Sequence, residues 1–280
     1  MLKKFIAICE ETYREALARK TIIGYFIIST LVILVVMFIF MNPTVKEQMM
    51  KVQQYGKKSP NMAADMIMVK ALDIFWTVVL MMLNFVTICL GVFSTTGFIT
   101  SQMEKGTIDL LISKPVPKWL YLLGRYLASL TIIGLQVTYF IIGIWVVVGA
   151  TMGIWNIGFL GSIPFIVLGF AGIYSIVVLV SVLSGSSALS MIVGIGVYFI
   201  SSIVAAGRGI AAMSGGESKS LLATIADVLY YILPQTGDMS ENMKNLVVGN
   251  AITILPIFLI ILLASSYFML SIYFFNKKQF

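Results

Sequence analysis

YLASLTIIGLQVTYFIIGIWVVVGATMGIWNIGFLGSIPFIVLGFAGIYSIVVLVSVLSGSSALSMIVGIGVYFISSIVAA, running from Tyr126 to Ala206, contains no Asp, Glu, Lys, Arg or His. A helix needs about 20 apolar residues to cross the hydrocarbon of a bilayer, so this block has room for three crossings. Two breaks divide it, GATMGIWNIG (Gly149 to Gly158) and SGSS (Ser184 to Ser187), both rich in turn-forming residues. The expected spans are about 121–150, 162–183 and 189–206. Three more uncharged runs flank the block: Thr21 to Val45, Ile74 to Met103 and Asn245 to Asn276. They hold one span each, at about 21–41, 74–100 and 247–274, and Pro256 is expected to kink the last. The fold class is therefore an all-α polytopic membrane protein with six transmembrane helices. Composition agrees, with 59% hydrophobic and 11% charged residues against roughly 45–50% and 25% in soluble domains.

Several classes are excluded. Runs such as TLVILVVMFIF and FLIILLA are apolar all round, whereas strands of an outer-membrane barrel alternate in polarity over about 10 residues. The segments left outside the spans are too short for a soluble catalytic domain. The first run is followed by MNPTVKEQ, not by a small-residue cleavage pattern, so it reads as a span and not a leader. Cys9 and Cys89 are the only cysteines, one ahead of the first span and one inside the second, and no disulfide is expected. The net charge of +7 is read as an orienting device. No nucleic-acid partner is expected; the partners of these basic residues are membrane lipids. Five cations fall within the first 20 residues, and an N-terminus inside puts eleven Lys and Arg on the inner side against eight outside. N-in, C-in is the favoured orientation.

The N-terminal segment LKKFIAICEETYREALARK sets Leu2, Phe5, Ile6, Cys9, Tyr13, Ala16 and Leu17 on one stripe at helical spacing, with Lys3, Lys4, Glu10, Glu11, Arg14 and Glu15 opposite. An interfacial amphipathic helix over 1–20 that bends into the first span is expected. The outside segments are 42–73 and 207–246. In the second, SLLATIADVLYYILP aligns Leu221, Leu222, Ile225 and Leu229 on one face of a short interfacial or re-entrant helix ending at Pro234, and the following QTGDMSENMKN reads as loop. The whole of 1–280 is one membrane domain.

The span interiors carry no ionisable group, whereas a carrier driven by protons or sodium usually needs one. The polar residues inside are of the kind that hydrogen-bond between helices; Asn84 and Gln136 are the candidates for lining a substrate pathway. No nucleotide site is present. YGKKS (Tyr55 to Ser59) lacks the first glycine and the hydroxyl of a phosphate loop, with Lys51 and Lys58 standing there. There is no histidine, the commonest base and metal ligand, so no catalytic residue and no metal site is assigned. Met49, Met50, Met62, Met66 and Met68 are soft donors of a kind that suits Cu(I), but no His or Cys accompanies them and flexible packing is the favoured reading.

One compact charged segment lies between spans, SQMEKGTIDLLISKPVPKWLYLLGRY, from Ser101 to Tyr126. Gly106 ends the second span's helix; Thr107 caps a short new one with Asp109 in its first turn, favoured by the helix dipole. Leu110 and Leu111 make it apolar, Pro115 stops it, and Pro117 opens the third span with Trp119 and Tyr121 at the interface. An exposed apolar patch of this kind marks a partner site. Glu-x-Gly-Thr, then Leu-Leu, Pro-Val and Gly-Arg resembles the signature between the second and third spans of ABC-2 type permeases, the membrane subunits of a class of ABC exporters. The span layout, the N-terminal helix and the long last outside loop are similar to that family too. ETYREALARK most resembles the subgroup associated with copper-enzyme maturation, including nitrous-oxide reductase.

The resemblance implies an ATP-driven exporter in the cytoplasmic (inner) membrane. Glu104, Gly106, Thr107, Asp109, Leu110, Leu111 and Pro115 would form a coupling helix, within a loop over 101–120, docking on a separate ABC ATPase subunit. Two ATPase copies would bind ATP and magnesium, while this chain holds no cofactor and is no enzyme. A second permease chain, identical or a paralogue, would complete the pathway, and Leu221 to Pro234 would act at the outer gate. The competing reading is a secondary carrier, or a scaffold that recruits a cytoplasmic partner without transporting.

Overall fold

The computed structural model describes residues 2–18, 20–43, 47, 62–101, 117–153, 155–213 and 221–277. They form helices α1 (Leu2–Ala18), α2 (Lys20–Met41), α3 (Met62–Thr100), α4 (Lys118–Met152), α5 (Ile157–Leu160), α6 (Ser162–Ser184), α7 (Ser187–Met213), α8 (Leu221–Ile232), α9 (Thr236–Val248) and α10 (Ile254–Lys277), and no strand occurs among the described residues. Among the described residues, six stretches are long and apolar enough to cross a membrane: Ile22–Met41, Trp76–Thr100, Lys118–Thr151, Ile157–Ser184, Ser187–Arg208 and Ile254–Lys277.

α6 is the centre. Every residue from Gly169 to Leu179 is buried, as an all-round apolar helix requires, and α3, α4, α7, α9 and α10 pack around it. Small residues let them approach: a Cβ on Gly172 would meet Ile260 Cγ1 at 2.8 Å and Pro234 Cβ at 3.0 Å. Tyr174 stacks on Tyr126 of α4 with centroids 5.4 Å apart, and Tyr126 meets Phe268 of α10 at 4.6 Å. Hydroxyls tie the same helices, Tyr126 donating to the Ala171 carbonyl (2.9 Å) and Tyr174 to Ser129 Oγ (3.0 Å). By contrast α2 leans on α4 and turns Ile27, Leu31, Leu34 and Phe38 outward, a strip at helical spacing that faces lipid.

Four expectations are corrected. QTGDMSENMKN is no loop but most of α9. The last crossing helix begins at Ile254 instead of 247. Pro256 sits in its first turn, where the missing N–H has no partner to lose, and so introduces no interior kink. The polar residues of the spans only partly bridge helices: Thr138, Ser202, Ser265 and Ser266 bond carbonyls four residues back in their own helix, as hydroxyls in helices commonly do.

Candidate functional site

The end of the bundle where α1 packs carries the connection from α3 to α4. Glu104, Gly106, Thr107, Asp109, Leu110, Leu111 and Pro115 lie outside the described residues, which resume at Pro117. What the structure describes is how the two stems are held. Pro117 is the N-cap of α4, in extended conformation with φ −65° and ψ 135°. Two turns into α4, Arg125 is buried to 1% exposure. Its Nη1 donates to Glu15 Oε2 of α1 at 2.5 Å and to the Phe98 carbonyl of α3 at 2.9 Å. Glu15 Oε1 accepts from Ser101 Oγ at 3.2 Å. The guanidinium lies 5.2 Å from the Tyr121 ring centroid, and its Nη2 is 3.9 Å from Glu11 Oε1.

This cluster was not legible as a site. The expected span over 121–150 already held Tyr121, set at the interface, and Arg125, counted with the charged connection, while Glu15 was set on the solvated face of α1. The structure buries Arg125 and Tyr121 and turns Glu15 toward them, and Ile6 and Leu17 point outward while Ile8 and Thr12 are buried. The crossing helices therefore do contain an ionised group, at their end and not at their middle. The one available signal was spacing: Glu11 and Glu15 are four residues apart on a helix, as are Tyr121 and Arg125 on another.

At the opposite end, the far end, α8 and α9 cover the bundle. Arg208 of α7 pairs with Asp227 at 3.2 Å and lies 3.7 Å above the Tyr230 ring. The Tyr230 hydroxyl donates to Asp238, and burial, reinforced by that bond and the carboxylate's charge, pushes the phenol above its ordinary range. Ser201 donates to the Pro234 carbonyl, Thr236 to Ser201 Oγ at 3.1 Å, and Tyr267 to the Ile232 carbonyl at 2.8 Å. Of the outer-segment residues, Pro234 is buried, Leu229 half-buried and Ile225 exposed; Leu221 and Leu222 belong to α8, with side chains outside the described set. Between α3, α7 and α9 opens a crevice of about 330 Å³ lined by Thr77, Tyr198, Ser202, Asp238, Ser240 and Glu241 among others.

The two polar residues singled out for the pathway are not together. Asn84 is buried and donates to Ser240 Oγ at 2.9 Å, on the wall of that crevice. Gln136 is buried in α4, and neither its Oε1 nor its Nε2 has a partner among the described residues. An unpaired buried amide costs about 1–3 kcal/mol. Gln136→Leu is therefore expected to leave stability unchanged or raise it by up to about 2 kcal/mol, measured by unfolding of the purified protein; marked destabilisation would mean that the amide is paired in the membrane. Of the methionines considered for copper, Met49 and Met50 and the side chains of Met62, Met66 and Met68 lie outside the described residues.

A family model described as ABC-2 family transporter protein matches residues 11–280. No curated protein matches the chain.

Proposed function

Because the chain belongs to the ABC-2 family of transporters, and is thus a multi-pass membrane subunit of an ABC transporter that works with an ABC ATPase, we propose that it forms half of the substrate pathway of an exporter. A second permease chain supplies the other half, and two ATPase copies dock on the 104–115 segments of the pair, supplying ATP and magnesium sites that this chain lacks. The assembly sits in the cytoplasmic membrane with both permease termini inside. Within the family, ETYREALARK favours the branch associated with copper-enzyme maturation.

The observation that carries this reading is the pairing of one apolar inter-span segment with stems anchored in a rigid bundle. A displacement at residues 102–116 enters α3 and α4 directly. The Tyr126, Tyr174 and Phe268 contacts carry it on to α6 and α10 as one body. The crevice between α3, α7 and α9 is the surface whose shape such a shift alters, and α8, pinned through Arg208 and Tyr230, lies at the same end of the bundle. Among the described residues the fully buried cation, Arg125, lies at the α1 end, an arrangement in keeping with ATP on the partner as the energy source.

Copurification tests it. Tagged protein extracted from its native membrane in mild detergent is expected to bring down an untagged ABC ATPase subunit in equal amount. A chain that transports in vesicles with no ATPase present would instead be a secondary carrier, and one that recruits a cytoplasmic partner without ATP-dependent transport would be a scaffold.

A further inference from the structure

Arg125 is an expensive residue to bury. Withdrawing a guanidinium from water costs several kcal/mol, and apolar side chains of similar volume in its place are often neutral or stabilising. Its contribution is therefore directional, and the directions are specific. The two hydrogens of Nη1 are both used, one on Glu15 Oε2 and one on the Phe98 carbonyl. That carbonyl is in the last turn of α3, where helix carbonyls lack intrahelical partners and a cation is favoured by the dipole. The second oxygen of the same carboxylate accepts from Ser101, the last described residue before 102–116. One charge pair from α1 and α4 thus fastens the end of α3 to the start of α4, on either side of that segment.

A separate contact brings α1 to the same place. A Cβ on Gly124 would meet Ile8 Cγ2 at 2.8 Å, and the Cys9 thiol faces the Gly124 carbonyl at 3.7 Å. Only a residue without a side chain lets α1 lie this close to α4.

We propose that Arg125 and Glu15 are positioning residues for the ATPase-coupling segment, holding both its stems in register with α1, so that the N-terminal helix is a working part of the coupling machinery and not only a membrane anchor. The inference rests on the coupling role proposed above for 104–115. It separates two properties. Docking depends on the apolar surface of the segment, whereas conversion of docking into stimulated ATP hydrolysis depends on the clamp.

The test uses the copurified permease–ATPase complex in lipid nanodiscs. Three quantities are measured: ATPase affinity for the permease, stimulated ATPase kcat per assembled complex, and thermal midpoint of the permease. Glu15→Gln, which removes the charge and keeps the size, is expected to lower stimulated kcat about tenfold with affinity changed less than threefold and the midpoint within a few degrees. Gly124→Val, which displaces α1 without touching any charge, is expected to do the same. Arg125→Lys, unable to span both acceptors, falls between. Glu10→Gln, in the exposed Glu10–Arg14 pair, leaves all three at the native value.

A native kcat per complex in Glu15→Gln, whatever Gly124→Val does, or a loss that only follows the midpoint, would overturn the proposal and leave the cluster a structural one. Leu110→Asp with Leu111→Asp keeps the two readings apart. If that variant loses docking while Glu15→Gln stays native, only the clamp falls; if it docks and stimulates normally, the coupling role falls and the clamp with it.

Discussion

Replacing Leu110 and Leu111 together with Asp is expected to abolish permease-stimulated ATP hydrolysis while the membrane domain stays folded. Burial of a leucine side chain contributes roughly 1.5–3 kcal/mol, so loss of two from a docking surface removes about 3–6 kcal/mol, and a tenfold change in affinity corresponds to about 1.4 kcal/mol. The substituted carboxylates add a desolvation cost if the groove still closes over them. Affinity for the ATPase therefore falls at least 100-fold, from the leucine loss alone, by the lower of these figures. Both positions fall between the expected spans 74–100 and 121–150, and the stems at Ser101 and Pro117 keep their own contacts, so the thermal midpoint is expected to stay within a few degrees. The measurements are ATPase rate and complex yield after size exclusion. Intact complex at native rate would remove 104–115 from the mechanism.

Asn242→Ala is expected to be the most damaging small substitution at the far end, at about 2–3 kcal/mol. Asn242 is fully buried on α9, and its amide makes three bonds to one residue. Nδ2 donates to the Thr253 carbonyl at 2.9 Å, and Oδ1 accepts from the Thr253 N–H and Oγ1, each at 2.8 Å. Thr253 is the residue before α10, so this contact sets where the last crossing helix enters the bundle. Each bond is worth roughly 1 kcal/mol net, and because Thr253 is itself exposed, water meets part of the loss. Asn242→Asp sharpens the test: it retains an acceptor for the two donors but turns a carboxylate oxygen to the Thr253 carbonyl, and is expected to cost at least as much. Chemical unfolding in detergent measures both, and two variants within 0.5 kcal/mol of the native protein would show that the contact is dispensable.

The crossings were legible because charge is the costliest thing to place in hydrocarbon, and its absence marks them out whatever packs against them. The SGSS break fell at the turn the structure makes, between Ser184 and Ser187. α9 was hidden for the opposite reason. Its buried face includes Thr236 and Asn242 alongside Met239, Met243 and Val247, so two positions that should look apolar are polar residues satisfied by distant partners. Arg125 was hidden likewise. A lone arginine between Gly124 and Tyr126 reads as membrane-surface charge, and nothing local announces that its partner is Glu15 in the N-terminal helix. Asn84 and Gln136 look alike in sequence, yet one is bonded across helices and the other has no partner among the described residues. That difference arises from tertiary neighbours, which spacing along one chain does not contain.

Gly185 and Ser186 are the whole connection between α6 and α7, with Gly185 at φ 67°, a left-handed conformation that suits glycine. So short a link leaves the two helices no freedom to slide apart at that end, and what remains is rotation about the joint, as in a pair of tongs. From Ser187 to Ser202 a helix rises about 22 Å, so a turn of about 5° at the glycine carries Ser202 sideways by about 2 Å. Ser202 and Tyr198 form one wall of the 330 Å³ crevice. Its width thus depends on an angle at the opposite end of the molecule.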